Sequence, residues 1–185
     1  MVFIDMATSL DGFVSDPNGG DGGLHDWYFS PTPASQGVID GLMTSIGAMV
    51  MGKRAFGGDE KAVEEGFDTP YKVPHFVLTH KTLPSVERDG ASFHFMSGDL
   101  KSVLRRAKEA AGTRDVCIAG GADTARQFLQ GELVDELHLH LVPKLFGSGL
   151  RLLEGVSADL ERLGIVEGEG VTHLRFRVKG RPDGE

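Results

Sequence analysis

The feature that most constrains this fold is an apolar run at residues 116–119 (VCIA) that ends in Gly120 and Gly121 and leads directly into an amphipathic segment. This pattern is typical of an α/β domain, in which bare glycine backbone can approach a ligand closely. The N–H groups of the first helical turn then point at an anion, and phosphate is the natural candidate. A strand-to-helix turn without a ligand is an equally good explanation of the two glycines.

Strands and helices alternate along most of the chain. Apolar runs predict strands at residues 2–8, 48–51, 73–79, 91–96 and 115–119, and apolar residues at helical spacing predict helices at 34–45, 99–111 and 122–130. Residues 136–142 alternate leucine with histidine, which is typical of a half-buried strand, and residues 162–167 and 171–179 predict a hairpin. This order predicts a three-layer α/β/α sandwich with a mostly parallel central sheet and an antiparallel C-terminal hairpin. We expect one domain over residues 1–180 and a short tail at 181–185.

The composition fits one globular domain and disfavours two classes of partner. The chain has 185 residues, 40% of them hydrophobic, and a formal net charge of -8, without the basic patch that nucleic acid would require. No apolar run approaches the roughly 20 residues that a membrane helix needs, so we expect no membrane partner and a cytoplasmic protein. The only cysteine, Cys117, excludes a disulfide within the chain and a multi-cysteine zinc site. Its position in a strand predicts a buried, unreactive thiol.

Asp11 is the candidate catalytic residue. It follows the first predicted strand, where a carboxylate could handle a proton or anchor a polar heterocycle. The alternative is a turn residue, because Asp followed by Gly is common in turns. Asp26 and Trp27 form a second acidic and aromatic pair, which is predicted to bind substrate through the carboxylate and a stacked ring. Trp27 would otherwise be a hydrophobic latch for the glycine-rich loop at residues 15–23.

His138 and His140 lie two residues apart on one predicted strand, and two metal ligands can adopt this spacing. A third ligand is not evident in the sequence, so we predict no metal site. We expect both side chains to face solvent or a subunit interface.

Five short segments, taken together and in order, resemble the dihydrofolate reductase-like superfamily. The resemblance is to the branch typified by the reductase domain of the riboflavin-biosynthesis deaminase-reductase, and it runs from residue 2 to about residue 178. The segments are residues 8–12 (TSLDG), 50–54 (VMGKR), 77–79 (VLT), 118–121 (IAGG) and 143–149 (PKLFGSG). The resemblance implies a three-layer α/β fold, NADPH as the hydride donor and a homodimer.

The resemblance also implies that NADPH lies against glycines, hydroxyls and cations at the ends of the parallel strands. The implied cofactor residues are Gly52, Arg54, Thr79, Lys81, Gly120, Gly121, Ala122, Gly147 and Gly149. The glycines would let the backbone approach the cofactor, and the hydroxyl and cationic groups would hold the 2′-phosphate that separates NADPH from NADH. Each group also has a structural alternative: a solvated surface pair at Arg54, an idle exposed side chain at Lys81 and a tight turn at Gly149.

The sequence therefore predicts an NADPH-dependent reductase of a small, planar, polar compound, either pteridine- or pyrimidine-like or bearing a carbonyl or imine group. Asp11 would position this substrate or relay a proton beside the nicotinamide. Residues 44–47 (TSIG) stand where the riboflavin reductases carry an arginine and aspartate block, so the substrate stays open. The alternatives are a catalytically silent NADPH-binding module with a regulatory or redox-sensing role, and a dimeric interaction protein on the same fold.

Overall fold

The computed structural model describes residues 1–57 and 60–179, and the predicted tail at 181–185 lies outside the described residues. The strands β1 to β11 are Val2–Ser9, Phe13–Ser15, Ile46–Gly52, Pro74–Leu78, Val86–Arg88, Ala91–Met96, Asp115–Ile118, Glu136–Val142, Leu150–Arg151, Leu160–Gly168 and Val171–Val178. The helices α1 to α5 are Asp26–Phe29, Pro33–Ser45, Glu60–Glu65, Leu100–Ala111 and Ala122–Gln130.

Nine of these strands form one twisted sheet in the order β10-β11-β8-β1-β7-β3-β4-β6-β5. The six central strands, from β8 to β6, are parallel to one another. At the two ends of the sheet, β11 pairs antiparallel with β8 and β5 pairs antiparallel with β6. Strands β2 and β9 form a separate antiparallel pair. The predicted mostly parallel sheet with an antiparallel C-terminal hairpin is confirmed, whereas the sequence did not predict the short strands β2, β5 and β9.

Helices cover both faces of the sheet, and the alternation of side chains along β1 shows how the two cores divide. Val2 and Ile4 pack into the core that α4 and α5 cover, which is the largest in the protein. Phe3 points to the opposite face and packs against Leu42 of α2. Successive strand residues face opposite sides, so one apolar strand supplies both cores. The predicted three layers are confirmed.

Local sequence signals set the ends of the two long helices. Thr32 precedes α2, and its hydroxyl accepts a hydrogen bond from the Ser35 backbone N–H, while Pro33 occupies the first helical position. Asp99 caps α4 in the same way, and Gly112 ends it with a positive φ of 63°. The longest helix has only 13 residues. No helix in the described ranges is long and apolar enough to cross a membrane.

The prediction that β8 is half-buried, with His138 and His140 facing outwards, is wrong. The two imidazoles are only 9% and 4% exposed. Strand β8 lies inside the sheet, between β1 and β11, and α2 and Trp27 cover the face that carries the histidines. Central strands of such sheets are covered on both faces, so an alternating polar pattern here places polar groups in the interior. These groups then require hydrogen-bond partners within the protein.

Candidate functional site

The Gly120 and Gly121 turn lies at the carboxyl edge of the parallel strands, between β7 and α5. The peptide between the two glycines is cis, and Gly120 has a φ of +130°, which favours glycine. A Cβ atom built on Gly121 would meet only the Cβ of Ala55, at 3.9 Å, so this backbone is bare. No side chain caps the N-terminus of α5 at Gly121. The turn therefore offers open backbone and an uncapped helix start at the same place.

Backbone hydrogen bonds join the ends of four neighbouring strands at this edge. The Gly52 N–H donates to the Gly120 carbonyl at 2.9 Å, the Lys53 N–H to Leu78 at 3.1 Å, and the Thr79 N–H to the carbonyl of residue 96 at 2.9 Å. A Cβ atom on Gly52 would lie 2.6 Å from the Thr124 hydroxyl oxygen, so only glycine fits. The structure thus brings the segments that contain Gly52 and Thr79 to the same edge as the Gly120 turn.

The predicted cationic groups lie at the surface of this edge. The Arg54 side chain is 94% exposed, and its guanidinium lies 3.7 Å from the Asp123 carboxylate in the first turn of α5. Lys81 is exposed. The Thr79 hydroxyl donates to the Lys81 carbonyl at 2.5 Å and lies 3.4 Å from that of Met96. In this conformation the Thr79 hydroxyl orders the loop after β4. Its hydrogen is used in these contacts, so only the lone pairs of its oxygen remain to accept from other donors.

Asp11 is held by protein groups on several sides. Its carboxylate accepts hydrogen bonds from the Ser9 hydroxyl at 2.6 Å, from the Phe146 N–H at 3.1 Å and from the Gly147 N–H at 2.8 Å. The Ser9 hydroxyl, followed by these backbone N–H groups, lowers the pKa of Asp11 to about 2. A carboxylate in this state is an acceptor at neutral pH, not a proton donor. The geometry favours a role in holding the loop at residues 143–149 against β1.

The two predicted loop glycines have different surroundings. Gly147 gives its N–H to Asp11, and nothing lies within 4 Å of a Cβ atom built on it. Gly149 has a φ of +137°, and a Cβ atom there would lie 2.1 Å from the Ser15 carbonyl oxygen. Gly149 is therefore needed where β9 approaches β2, which is the structural alternative that the sequence left open.

Asp26 and Trp27 line a pocket of about 300 Å³ at the carboxyl end of β8, together with Lys144 and Glu169. The Asp26 carboxylate is 80% exposed and lies 3.8 Å from the Lys144 ammonium. Trp27 is 7% exposed. Its ring packs 4.7 Å from the His140 imidazole, so in this structure it holds the glycine-rich loop and α1 onto the sheet.

The family model for the RibD C-terminal domain matches residues 1–174. The chain belongs to the RibD C-terminal domain family. This membership confirms the resemblance drawn from the five sequence segments. A curated relative, YyaP of Bacillus subtilis (strain 168), is 24% identical over 154 residues, which cover 80% of this chain and 77% of YyaP.

Solved structures share the fold of this RibD C-terminal domain. A protein from Shewanella sp. PV-4 whose name connects it with riboflavin biosynthesis has a TM-score of 0.70 at 24% identity, over 97% of this chain and 99% of that one. The deaminase and 5-amino-6-(5-phosphoribosylamino)uracil reductase of Thermotoga maritima has a TM-score of 0.68 at 16% identity, over 96% of this chain and 56% of that one. Dihydrofolate reductase of Enterococcus faecalis, in complex with NADP(H), has a TM-score of 0.64 at 15% identity, over 97% of both chains. These likenesses confirm the predicted dihydrofolate reductase-like architecture.

This RibD C-terminal domain also holds a buried polar network that the sequence reasoning missed. Asp5 of β1, His140 of β8 and His173 of β11 lie side by side, on three neighbouring strands, and Ser35 of α2 completes the row. The distances are 3.1 Å from Asp5 Oδ2 to His140 Nε2, 2.8 Å between the two histidine Nδ1 atoms, and 3.0 Å from His173 Nε2 to Ser35 Oγ. Two features of the sequence could have indicated this network: the carboxylate of Asp5 inside an apolar strand, and the histidines spaced two residues apart on β8.

Burial and the neighbouring groups shift the pKa values of Asp5 and His173. Burial opposes ionisation of Asp5, but the charge of His140 and its hydrogen bond outweigh burial, so the pKa of Asp5 lies below its usual value. Burial, and then the neighbouring His140, lowers the pKa of His173 to about 4. At neutral pH, Asp5 is ionised and His173 is neutral. Within residues 1–57 and 60–179, no group of three or more His, Cys, Asp and Glu side chains is arranged to hold a metal ion.

Proposed function

We propose that this RibD C-terminal domain protein is an NADPH-dependent reductase of a small, planar, polar heterocycle of the pyrimidine or pteridine type. The observation that carries the proposal is the bare Gly120 and Gly121 backbone at the uncapped start of α5, beside the ends of β3 and β4. Family membership supports it.

The residues at this edge fit a phosphorylated dinucleotide. Gly121 and Ala122 would present the N–H groups of the α5 N-terminus to the pyrophosphate, and Gly52 lets Thr124 in the first turns of α5 pack against the end of β3 at this cofactor site. Arg54 and Lys81 would hold the 2′-phosphate, because both are exposed cations at the same edge. The bound dinucleotide would supply the hydride. The protein supplies position and electrostatics.

The proposed roles of the remaining predicted residues follow their contacts. Asp11 and Gly147 keep the loop at residues 143–149 closed on β1, and Gly149 lets that loop pass close to Ser15. Asp26 would contact substrate or product at the pocket beside Lys144, while Trp27 supports the wall of that pocket.

Binding and turnover experiments test this function. Trp27 is the only tryptophan, so quenching of its fluorescence on titration with NADPH reports binding. NADPH oxidation is then followed with pteridines, pyrimidines and quinones as acceptors. We expect saturable NADPH binding and turnover with at least one heterocycle. Failure to bind NADPH would overturn the proposal, and binding without turnover on any acceptor would favour the silent NADPH-binding module.

We also propose that two copies associate through the edge strand β10. Its exposed apolar side chains include Leu163, Ile165 and Val166, which are 36%, 47% and 38% exposed. A long apolar edge strand is a ready surface for pairing with another chain. Arg175 on the adjacent β11 is half-exposed, whereas His138 and His140, which the sequence placed on this surface, are buried.

We propose the cytoplasm as the place of action. The chain has a single cysteine, which is typical of proteins in a reducing compartment. Fractionation of cells that produce the protein tests this location.

A further inference from the structure

Asp5 lies on β1 at the level of the residue before the turn that would hold the cofactor. Strand β1 pairs with β7 so that Ile4 is opposite Ile118, which brings Asp5 level with Ala119, the residue before Gly120. The next residue of β1, Met6, faces the opposite core, and its sulfur lies 3.8 Å from the position of a Cβ atom on Gly120, so this part of β1 adjoins the turn. A carboxylate on the α2 face of β1 is therefore one residue in register from the Gly120 turn.

The contacts behind Asp5 form a continuous row. With His173 neutral, one placement of the hydrogens that fits the row has the Ser35 hydroxyl donating to His173 Nε2, His173 Nδ1 to His140 Nδ1, and His140 Nε2 to Asp5 Oδ2. In this placement every imidazole nitrogen has a partner. The row ends at the Asp5 carboxylate. At the opposite end of the row, the Ser35 hydroxyl oxygen accepts a hydrogen bond from the Thr32 hydroxyl.

Other charged and titratable groups surround Asp5 but leave one of its oxygens open. His138 Nδ1 lies 3.8 Å from Oδ2 and turns its Nε2 to Glu136. Glu136 is held in turn by Arg175 at 2.8 Å. Among the described residues, the hydrogen-bond and ion-pair contacts of the Asp5 carboxylate all involve Oδ2, and the side chain is 19% exposed. The open oxygen, Oδ1, is thus the one that remains for a ligand.

Two tyrosines and a thiol lie around the same space. Burial raises the pKa of Tyr71, and the neighbouring Tyr28 hydroxyl, Asp5 and Cys117 act in the same direction. Tyr71 packs with the core under α2, and Tyr28 packs beside Trp27. Both rings are only partly buried. The only carboxylate on α2 itself, Asp40, is exposed and takes a hydrogen bond from Gln36, so the helix offers no competing acid.

We propose that Asp5 is the substrate-recognition residue, and that Ser35, His173 and His140 are positioning residues that hold its carboxylate through Oδ2 and leave Oδ1 for the ligand. The ligand class is a nitrogen heterocycle that presents an amino or ring N–H donor to Asp5 Oδ1, between the aromatic rings of Tyr28 and Tyr71. The inference rests on the proposed reductase function, because it places the heterocycle next to the Gly120 turn. It assigns to β1 the acidic contact that the sequence reasoning assigned to Asp11.

Two pyrimidines of nearly equal shape test this assignment. 2,4-Diaminopyrimidine carries amino donors, and 2,4-dimethylpyrimidine replaces them with methyl groups. Each is titrated by calorimetry into the protein, with and without saturating NADPH. We expect the wild type to bind the diamino compound at least about tenfold more tightly, since a hydrogen bond to a charged group corresponds to roughly 10- to 150-fold in affinity.

The variant Asp5→Asn removes the charge at constant size, and its preference for the diamino compound should fall to about threefold or less. Asp40→Asn makes the same change on the outer surface of α2 and should keep the wild-type preference. Asp5→Glu retains a carboxylate and should rescue the preference in part, which a merely structural role of Asp5 would not produce. His140→Gln should weaken binding of the diamino compound and leave binding of the dimethyl compound unchanged.

The outcomes separate this inference from the proposed function. Absence of NADPH binding would defeat the reductase proposal, whereas an unchanged preference in a folded Asp5→Asn variant would defeat only the role of Asp5. A wild type that binds neither pyrimidine, or both equally, would also overturn the role of Asp5. This wild-type comparison decides the question even if Asp5→Asn does not fold.

Discussion

The Nδ1 atoms of His140 and His173 lie 2.8 Å apart in the buried face of the sheet, so these two nitrogens share a single hydrogen. Protonation of both rings would place two donors against each other and break the row of hydrogen bonds that ends at Asp5. Burial lowers the pKa of His173 to about 4, so His173 is the neutral ring of the pair, in a row that ends at the ionised Asp5. This also makes the protein sensitive to acid, because the buried neutral His173 takes up a proton on unfolding.

The first prediction concerns stability against pH. His75 is fully buried on β4, its Nδ1 donates to the Val73 carbonyl at 2.8 Å, and burial lowers its pKa to about 4. Its unfolded pKa is about 6.5, so the unfolded state binds the proton first, and the free energy of unfolding falls as pH drops from 6.5 to 4. His75→Asn keeps an N–H for Val73 and should remove about 1–3 kcal/mol of this pH dependence.

Urea unfolding of the wild type and His75→Asn at pH 7 and pH 5 measures this difference. Exposed His80, replaced in the same way, is the matched control for the loss of one histidine from the chain. Equal pH dependence in wild type and His75→Asn would contradict the prediction.

The second prediction concerns the cofactor turn. Gly121→Val should weaken NADPH binding by at least about tenfold, because the branched side chain occupies the backbone surface that faces the pyrophosphate. The melting temperature without ligand should change little, since a Cβ atom on Gly121 meets only Ala55 at 3.9 Å. Gly164→Val is the control, because nothing lies within 4 Å of a Cβ atom there. If Gly121→Val unfolds, the two glycines form a structural turn.

The third prediction concerns the choice between NADPH and NADH. Arg54→Gln should lower NADPH affinity by about tenfold or more and leave NADH affinity unchanged, because a charge-assisted bond to the 2′-phosphate contributes about 1.5–3 kcal/mol. Arg177→Gln removes an equally charged, half-exposed side chain from β11 and should change neither affinity. Fluorescence titration at moderate salt measures the affinities of the wild type and of both variants for NADPH and NADH. Equal affinity of the wild type for both dinucleotides would contradict the assignment of Arg54 to the 2′-phosphate.

The fourth prediction separates the two roles of Asp11. The loop role predicts that Asp11→Asn and Ser9→Ala both reduce kcat by less than about tenfold and make the loop at residues 143–149 more sensitive to protease. NADPH affinity should stay near the wild-type value. A role in proton transfer would instead reduce kcat of Asp11→Asn on the order of 10²–10⁴-fold while Ser9→Ala stays active. Steady-state kinetics with the acceptor found above decides between them.

The fifth prediction is a dimer at micromolar concentration. Sedimentation equilibrium should give twice the mass of 19.9 kDa. Ile165→Lys places a charge at the most exposed of the apolar edge positions and should shift the mass towards the monomer. Lys179→Glu, at the end of β11, is the control for a change of charge alone. A monomeric wild type would contradict the proposal.

Much of the fold follows from periodicity, since the apolar runs of β1, β3 and β7 and the capped helices α2 and α4 have clear local signals. The short strand β5 and the pair of β2 and β9 do not, because three or fewer residues carry too little pattern. The strand ends around Gly52 and Gly120 could be predicted to share one edge, because parallel strands end together.

The buried network could not be read in the same way. Asp5 looks like an interruption of an apolar strand, and the histidines of β8 look like a solvent face. Their burial depends on β11 and α2, which are distant in sequence and come together only in the folded sheet. Asp11 shows the opposite case, because its motif is conspicuous while its carboxylate is occupied by three groups of the protein.

The position of Cys117 gives this protein a built-in reporter. The thiol is 1% exposed and lies in the core beneath α2, and burial raises its pKa. A thiol reagent can reach Cys117 only when the helical layer over β7 separates locally from the sheet. The rate of labelling therefore measures how often this local opening occurs. Because there is no second cysteine, the signal comes from one site. Ligands that clamp α2 onto β1 would then be detected as slower labelling, before any substrate is known.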